Sequence, residues 1–251
     1  MKRILLAAGL ALAGCQSAPG PVAAPSCSLP AATVLEESGD PHAANGRLLQ
    51  VWEVADDPAL WGEGEPVSDG YRDFREKVAA RAIETDPVKL LQASPSTGSD
   101  RANNALVVSR AADWIRPAGC FEKLLVGYQH ARVDTFVAPT EFMTMVLRSA
   151  DGARLRIYFY TINQDGIGRV GPVSEPVLAD VAQGWRIVLG MHSHVFHPGQ
   201  PLLDGILAPS VPDADFNANF AASGGMQAAW ITNGVHTVRI PAEAFGAFRR
   251  E

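Results

Sequence analysis

Residues 141–160 read Glu141-Phe-Met-Thr-Met-Val-Leu147, a linking segment carrying Asp151-Gly152, and Leu155-Arg-Ile-Tyr-Phe-Tyr160. Two apolar, strand-forming runs on either side of an Asp-Gly pair predict a β-hairpin, because glycine supplies the positive φ that a tight turn requires. Further along, Trp185-Arg-Ile-Val-Leu-Gly-Met191 predicts another strand, which runs directly into His192-Ser193-His194. Asp213 to Ala222 reads as a short helix. Gln227 to Thr232 and Val235 to Ile240, joined by Asn233-Gly234, read as a second hairpin with a type I′ turn. Strand, strand, strand, helix, strand, strand in that order places residues 137–251 in the α/β (α+β) class, as a mixed sheet with flanking helices.

The preceding stretch, residues 33–136, is a mixed N-terminal region with no chemical motif. Ser68 to Ile83 has helical spacing, with Tyr71, Phe74, Val78, Ala79 and Ala82 on one face and charged residues opposite. Phe121 to Tyr128 predicts a second helix. Ser94 to Asn104, rich in Ser, Thr, Gly and Asn, reads as a polar loop, and Gly171 to Pro176 as loop-like. Trp52, Trp61 and Trp114 are assigned to packing. Asn163-Gln-Asp-Gly-Ile-Gly-Arg169 has the Asp and Gly of a calcium loop but lacks the twelve-residue pattern with its terminal Glu, so it reads as a turn.

The N-terminus carries its own signal. Lys2 and Arg3 precede the apolar run Ile4 to Leu12, and Leu12-Ala13-Gly14-Cys15 follows at once. The run is far shorter than the ~20 apolar residues that a membrane-spanning helix needs, so residues 1–14 read as a signal peptide. Leu12-Ala13-Gly14-Cys15 resembles the lipobox of bacterial lipoproteins, which implies cleavage before Cys15 and acylation of that residue. Gln16 rather than Asp at the second mature position resembles the sorting pattern for the outer membrane. The expected address is therefore the bacterial cell envelope, lipid-anchored, on the periplasmic face of the outer membrane. Residues 15–32, rich in Ala, Pro and Ser, read as the linker from the lipid to the folded part.

The chain carries a formal net charge of −6, and removal of residues 1–14 makes it more acidic still. Without a long basic run it has no footprint for nucleic acid. Of its three cysteines, Cys27 and Cys120 remain once Cys15 is acylated, and an exported pair is a candidate disulfide.

His192 and His194 alternate along an extended chain, so their imidazoles share one face at a strand end and can serve one metal ion. A catalytic zinc takes three protein ligands and leaves one position for water. Asp213, at the start of the following helix, is a candidate third ligand, and Glu141 a candidate activating carboxylate; Glu175 also lies upstream. Ser210 and Asp213 fit equally well as ordinary helix-start chemistry.

Glu141, then His192-x-His194, then Ser210-x-x-Asp213 resembles the motif of the JAB/MPN (JAMM) metalloprotease-like domain, over roughly Val137 to Ile240. The resemblance implies a cytidine-deaminase-like fold and Zn2+ held by His192, His194 and Asp213. It also implies Glu141 as the proton carrier and Ser210 as a donor to the oxyanion of the tetrahedral intermediate. Two features depart from the family: Val195 stands where proline is usual, and 15 residues separate His194 from Ser210, about twice the usual interval. His197 and Asp215 remain open as alternative ligands. The resemblance and the address together lead to the expectation of a zinc-dependent hydrolase of peptide or isopeptide bonds, acting on a peptide or peptidoglycan-derived substrate. The alternative is a non-catalytic envelope lipoprotein that uses the fold as a binding scaffold.

Overall fold

The structure, a computed structural model, describes residues 27–40, 46–93, 98–109, 112–163, 171–194, 196 and 205–248. The signal peptide, Cys15, most of the linker, Val195, His197 and all but the first residue of Asn163–Arg169 lie outside the described residues. In chain order the strands are β1 (Thr33–Ser38), β2 (Arg47–Ala55), β3 (Trp114–Pro117), β4 (Phe142–Arg148), β5 (Arg154–Thr161), β6 (Arg186–Ser193), β7 (Ala228–Thr232) and β8 (His236–Pro241). The α-helices are α1 (Pro58–Trp61), α2 (Asp69–Ala80), α3 (Pro87–Ala93), α4 (Gly98–Val108), α5 (Cys120–Arg132), α6 (Gly171–Ala182) and α7 (Val211–Gly224). A 3-10 helix, Ala242–Ala247, follows β8.

All eight strands form one sheet in the order β1-β2-β5-β4-β6-β7-β8-β3. Only β6 and β7 run parallel; every other neighbour is antiparallel. The chain is thus a mixed α/β protein with flanking helices. The near-continuous apolar run of β4 is buried on both faces, as a central strand must be. On one face Met143, Met145, Ile231 and Ile240 pack with Val107, Val173, Val177 and Phe220 from α4, α6 and α7. On the other, Phe142, Val146, Ile157 and Phe159 pack with Tyr71, Phe74, Phe121 and Leu125 from α2 and α5. Residues before 137 supply β1, β2 and β3, so the sheet continues across that boundary at both edges.

The Asp151-Gly152 hairpin forms as its residues dictate: Gly152 sits at φ 77°, and Asp151 Oδ1 accepts from the Ser149 hydroxyl and the Ala153 N–H. The second hairpin also forms, but its turn is not type I′. Thr232 pairs with Thr237, leaving a four-residue loop. Asn233 Oδ1 accepts from the N–H groups of Val235 and His236, so the side chain takes over the turn and only Gly234 adopts a positive φ, 83°.

Two further expectations are corrected. The supposed polar loop Ser94–Asn104 contains the first half of α4, because Asn103 and Asn104 are buried and spend their amides on backbone carbonyls. The stretch Gly171–Pro176 belongs to α6, where Val173, Val177 and Asp180 form the buried stripe in spite of Pro176. Cys27 and Cys120 are joined in a disulfide that ties the segment before β1 to the start of α5. Among the described residues, no helix is long and apolar enough to cross a membrane.

Candidate metal centre

β6, α7 and β7 form a strand–helix–strand unit whose two strands are parallel. The unit leaves two features side by side: the carboxyl end of β6 and the amino end of α7. In open α/β sheets such strand ends are where ligands bind. His192 is the penultimate residue of β6, and His194 follows the strand, its N–H bonded to Thr232 O at 2.8 Å. Strand alternation sends both imidazoles to the α7 side, while Ser193 points to the opposite face and accepts the Phe142 N–H at 3.0 Å. That bond fastens the end of β6 to the start of β4.

His192 Nε2 lies 3.0 Å from His194 Nε2. Asp213 Oδ2 is 3.3 Å from the first and 3.4 Å from the second. With zinc–nitrogen bonds of about 2.0–2.1 Å, two donors of a tetrahedral site stand roughly 3.3 Å apart, so these three atoms have the mutual separations of one face of such a site. Among the described residues, His192, His194 and Asp213 are the one group of this kind. The tautomer fits as well. His194 Nδ1 faces the Ile206 carbonyl and so donates to it, which leaves the Nε2 lone pair for a cation.

Asp213 is presented by the helix start itself. Ser210 is the N-cap of α7: its Oγ accepts the Asp213 N–H at 3.3 Å, and Asp213 Oδ2 accepts the Ser210 N–H at 2.9 Å and the Ser210 hydroxyl at 2.6 Å. This is a reciprocal capping box, and it fixes which carboxylate oxygen faces the histidines. The Ser210 hydroxyl proton is therefore directed at Asp213. Burial works against charge on both Asp213 and His194. The two imidazoles outweigh it at Asp213 and hold that carboxyl well below its usual range. At His194 the Asp213 carboxylate, with Glu141 and the Ile206 carbonyl behind it, pushes the pKa up to about 9. The centre thus favours positive charge.

Glu141 immediately precedes β4. The β4–β6 register ends at the pair Met143–His192, and Glu141, two residues before Met143, is among the charges that act on His194. Its backbone carbonyl accepts the Thr161 hydroxyl at 2.8 Å. Thr161 and Thr140 in turn receive the buried Gln129 amide of α5, at 3.3 and 2.8 Å. Of the alternatives, Glu175 is exposed on α6 and Asp215 lies beyond the ligand position on α7, outside the group of three; His197 lies outside the described residues.

Several residues that hold the centre escape a reading of the sequence: Gln129, Ser193, Asp100 and Asn103. Only Ser193 is next to a recognisable motif. Asp100 and Asn103 bind the residues flanking Ser210 from 111 and 106 positions away. The signal for their helix was present in Ser99-Asp100, ordinary helix-start chemistry, and in the apolar Leu106-Val-Val108 that follows. No protein-family model matches the chain, and no curated protein or solved structure proves significantly similar to it, so the likeness to JAB/MPN domains rests on these residues alone.

Proposed function

We propose that the chain is a zinc-dependent hydrolase of peptide or isopeptide bonds with a JAB/MPN-like centre, working in the cell envelope from a lipid on Cys15. The observation that carries this reading is the triangle of donors, His192 Nε2, His194 Nε2 and Asp213 Oδ2, with Glu141 among the charges that act on His194. Two imidazoles and one carboxylate are a donor set suited to zinc, and their spacing fits it; the metal would take the place of the proton that His194 holds at neutral pH. Bound zinc supplies Lewis acidity and brings the pKa of water toward neutrality. Glu141 takes the proton from the attacking water and passes it to the leaving amine. Ser210 holds Asp213 in place, and Ile206 holds the His194 tautomer. A peptide or peptidoglycan cross-link suits the expected address.

The second reading, a binding scaffold without catalysis, is favoured by Val195 and by the long interval from His194 to Ser210. Metal analysis of the full chain, purified in detergent, separates the readings. The hydrolase predicts about one zinc per chain, lost in His192→Ala and Asp213→Ala. Glu141→Gln should keep the zinc and lose about 100-fold or more of the hydrolysis of peptides or cell-wall fragments. A folded parent that takes up no zinc when supplied with it would overturn the metal centre. Zinc without hydrolysis would leave the scaffold.

A further inference from the structure

Pro209 and Val211 flank Ser210, the residue that fixes the Asp213 carboxylate, and a single helix holds both from outside. Asn103 Nδ2 donates to Pro209 O at 3.1 Å, and Asp100 Oδ1 accepts the Val211 N–H at 3.2 Å. Asn103 is fully buried, at 0% exposure, so its amide has no water to turn to. The Val211 N–H belongs to the first turn of α7, where it has no partner within the helix, and a carboxylate is favoured there by the helix dipole.

The connection to the ligand is short. From Asn103 and Asp100 it passes through the backbone of Pro209 and Val211 to Ser210, then to Asp213 Oδ2, which stands 3.3 and 3.4 Å from the two imidazoles. Covalent continuity does little of this positioning. The 15 residues between His194 and Ser210 are a long connection, and a chain of that length constrains its ends only weakly. The placement of α7 against β6 must come from contacts made by other parts of the molecule, and α4 makes two of them at the ligand's own cap.

We infer that Asn103 and Asp100 are positioning residues of the metal centre: α4 sets how far Asp213 advances toward His192 and His194, and so sets the affinity for the metal. The inference rests on the zinc reading above. It also gives residues 98–108 a task, bracing the ligand-bearing end of α7. The neighbouring Asn104 provides an internal comparison. It is the same residue type on the same helix and is also buried, but its amide goes to Leu91 O at 3.2 Å and braces α3 instead.

The test is the Zn2+ dissociation constant of the full chain in detergent, measured by competition with a chromophoric chelator, for the parent and for Asn103→Leu, Asp100→Ala and Asn104→Leu. Loss of such supporting bonds typically weakens metal binding about 10- to 100-fold, the effect expected for Asn103→Leu and Asp100→Ala. Asn104→Leu should lower the thermal midpoint and leave the zinc constant unchanged. Unchanged zinc binding in Asn103→Leu and Asp100→Ala would overturn the inference, as would equal weakening in Asn104→Leu, which would mark general destabilisation. If Asn103→Leu does not fold, Asp100→Ala, at a half-buried position, carries the test. A parent that binds no zinc removes the metal centre and this inference together, whereas a zinc-binding parent with unchanged variants removes this inference alone.

Discussion

Ser210 closes both halves of its capping box, and that double role makes it a sensitive position. Ser210→Ala removes the acceptor for the Asp213 N–H and a charge-assisted donor to the Asp213 carboxylate. The expected loss is about 1–2 kcal/mol, read as a lower urea midpoint at constant slope. At this scale the sequence is informative wherever the chemistry is local. Alternation along a strand puts His192 and His194 on one face, and helix-start chemistry puts Ser210 beside Asp213. Ser210 also shows where local reading stops: whether a hydroxyl serves an oxyanion or a carboxylate depends on where its proton points, and the bond to Asp213 Oδ2 gives that direction. Gln129 is beyond such reading, because Thr140 and Thr161 reach it only when α5 lies on the sheet.

Among the elements, α2 and α5 meet at two glycines. A Cβ on Gly127 would come within 2.6 Å of Ser68 Oγ and 2.7 Å of the Tyr71 backbone nitrogen. Gly127→Ala must therefore push the helices apart, and a loss of about 1–3 kcal/mol is expected in thermal or urea unfolding. The same interface carries a charge cluster. His130 Nδ1 accepts the Thr135 N–H and its Nε2 donates to Asp73 Oδ2 at 2.8 Å, while Lys77 bridges Asp73 and Asp134 at 2.6 and 2.8 Å. Lys77 and then His130 hold the Asp73 carboxyl below its usual range. At Asp134 burial acts the other way, but the Lys77 ammonium and the Phe136 N–H outweigh it and the shift is again downward. Both groups bind protons more weakly folded than unfolded. Their contribution is therefore present above the ordinary carboxyl value of 3.8 and is lost as the pH falls below it. Asp134→Asn should flatten the acid limb of the thermal midpoint against pH. The misread elements share one cause: α4 and α6 carry Asn, Gly and Pro that resemble loop chemistry, and tertiary burial of Asn103, Val173 and Val177 outweighs it.

For the whole molecule, the Cys27–Cys120 bond closes a loop of 93 residues across the N-terminal half. A crosslink of that span restricts the unfolded chain, so reduction should lower stability by about 2–5 kcal/mol, measured by unfolding with and without a thiol reductant. The bond also holds the segment before β1 to α5, whose Gln129 amide donates to Thr140, the residue before Glu141.

By itself the sequence determined what depends on neighbours within a turn or a strand pair: the two hairpins, α2 with its buried Tyr71, Phe74 and Val78, the two histidines on one face of a strand end, and an acid at a helix start; Ala79 and Ala82, expected on the same helix face, are exposed, and Ala82 lies past the helix end at φ 48°. Hydrophobic period, turn residues and capping chemistry act over a few positions and need no knowledge of the rest of the chain. Only the tertiary structure decided that β1, β2 and β3 complete one eight-stranded sheet, that β6 and β7 run parallel, and that His192, His194 and Asp213 converge. It alone also decided that α4 grips the start of α7 through Asn103 and Asp100. These arrangements are fixed by contacts between residues tens to more than a hundred positions apart. Burial selects such contacts by shape and by satisfied polar groups, and neither is written in any local stretch of sequence.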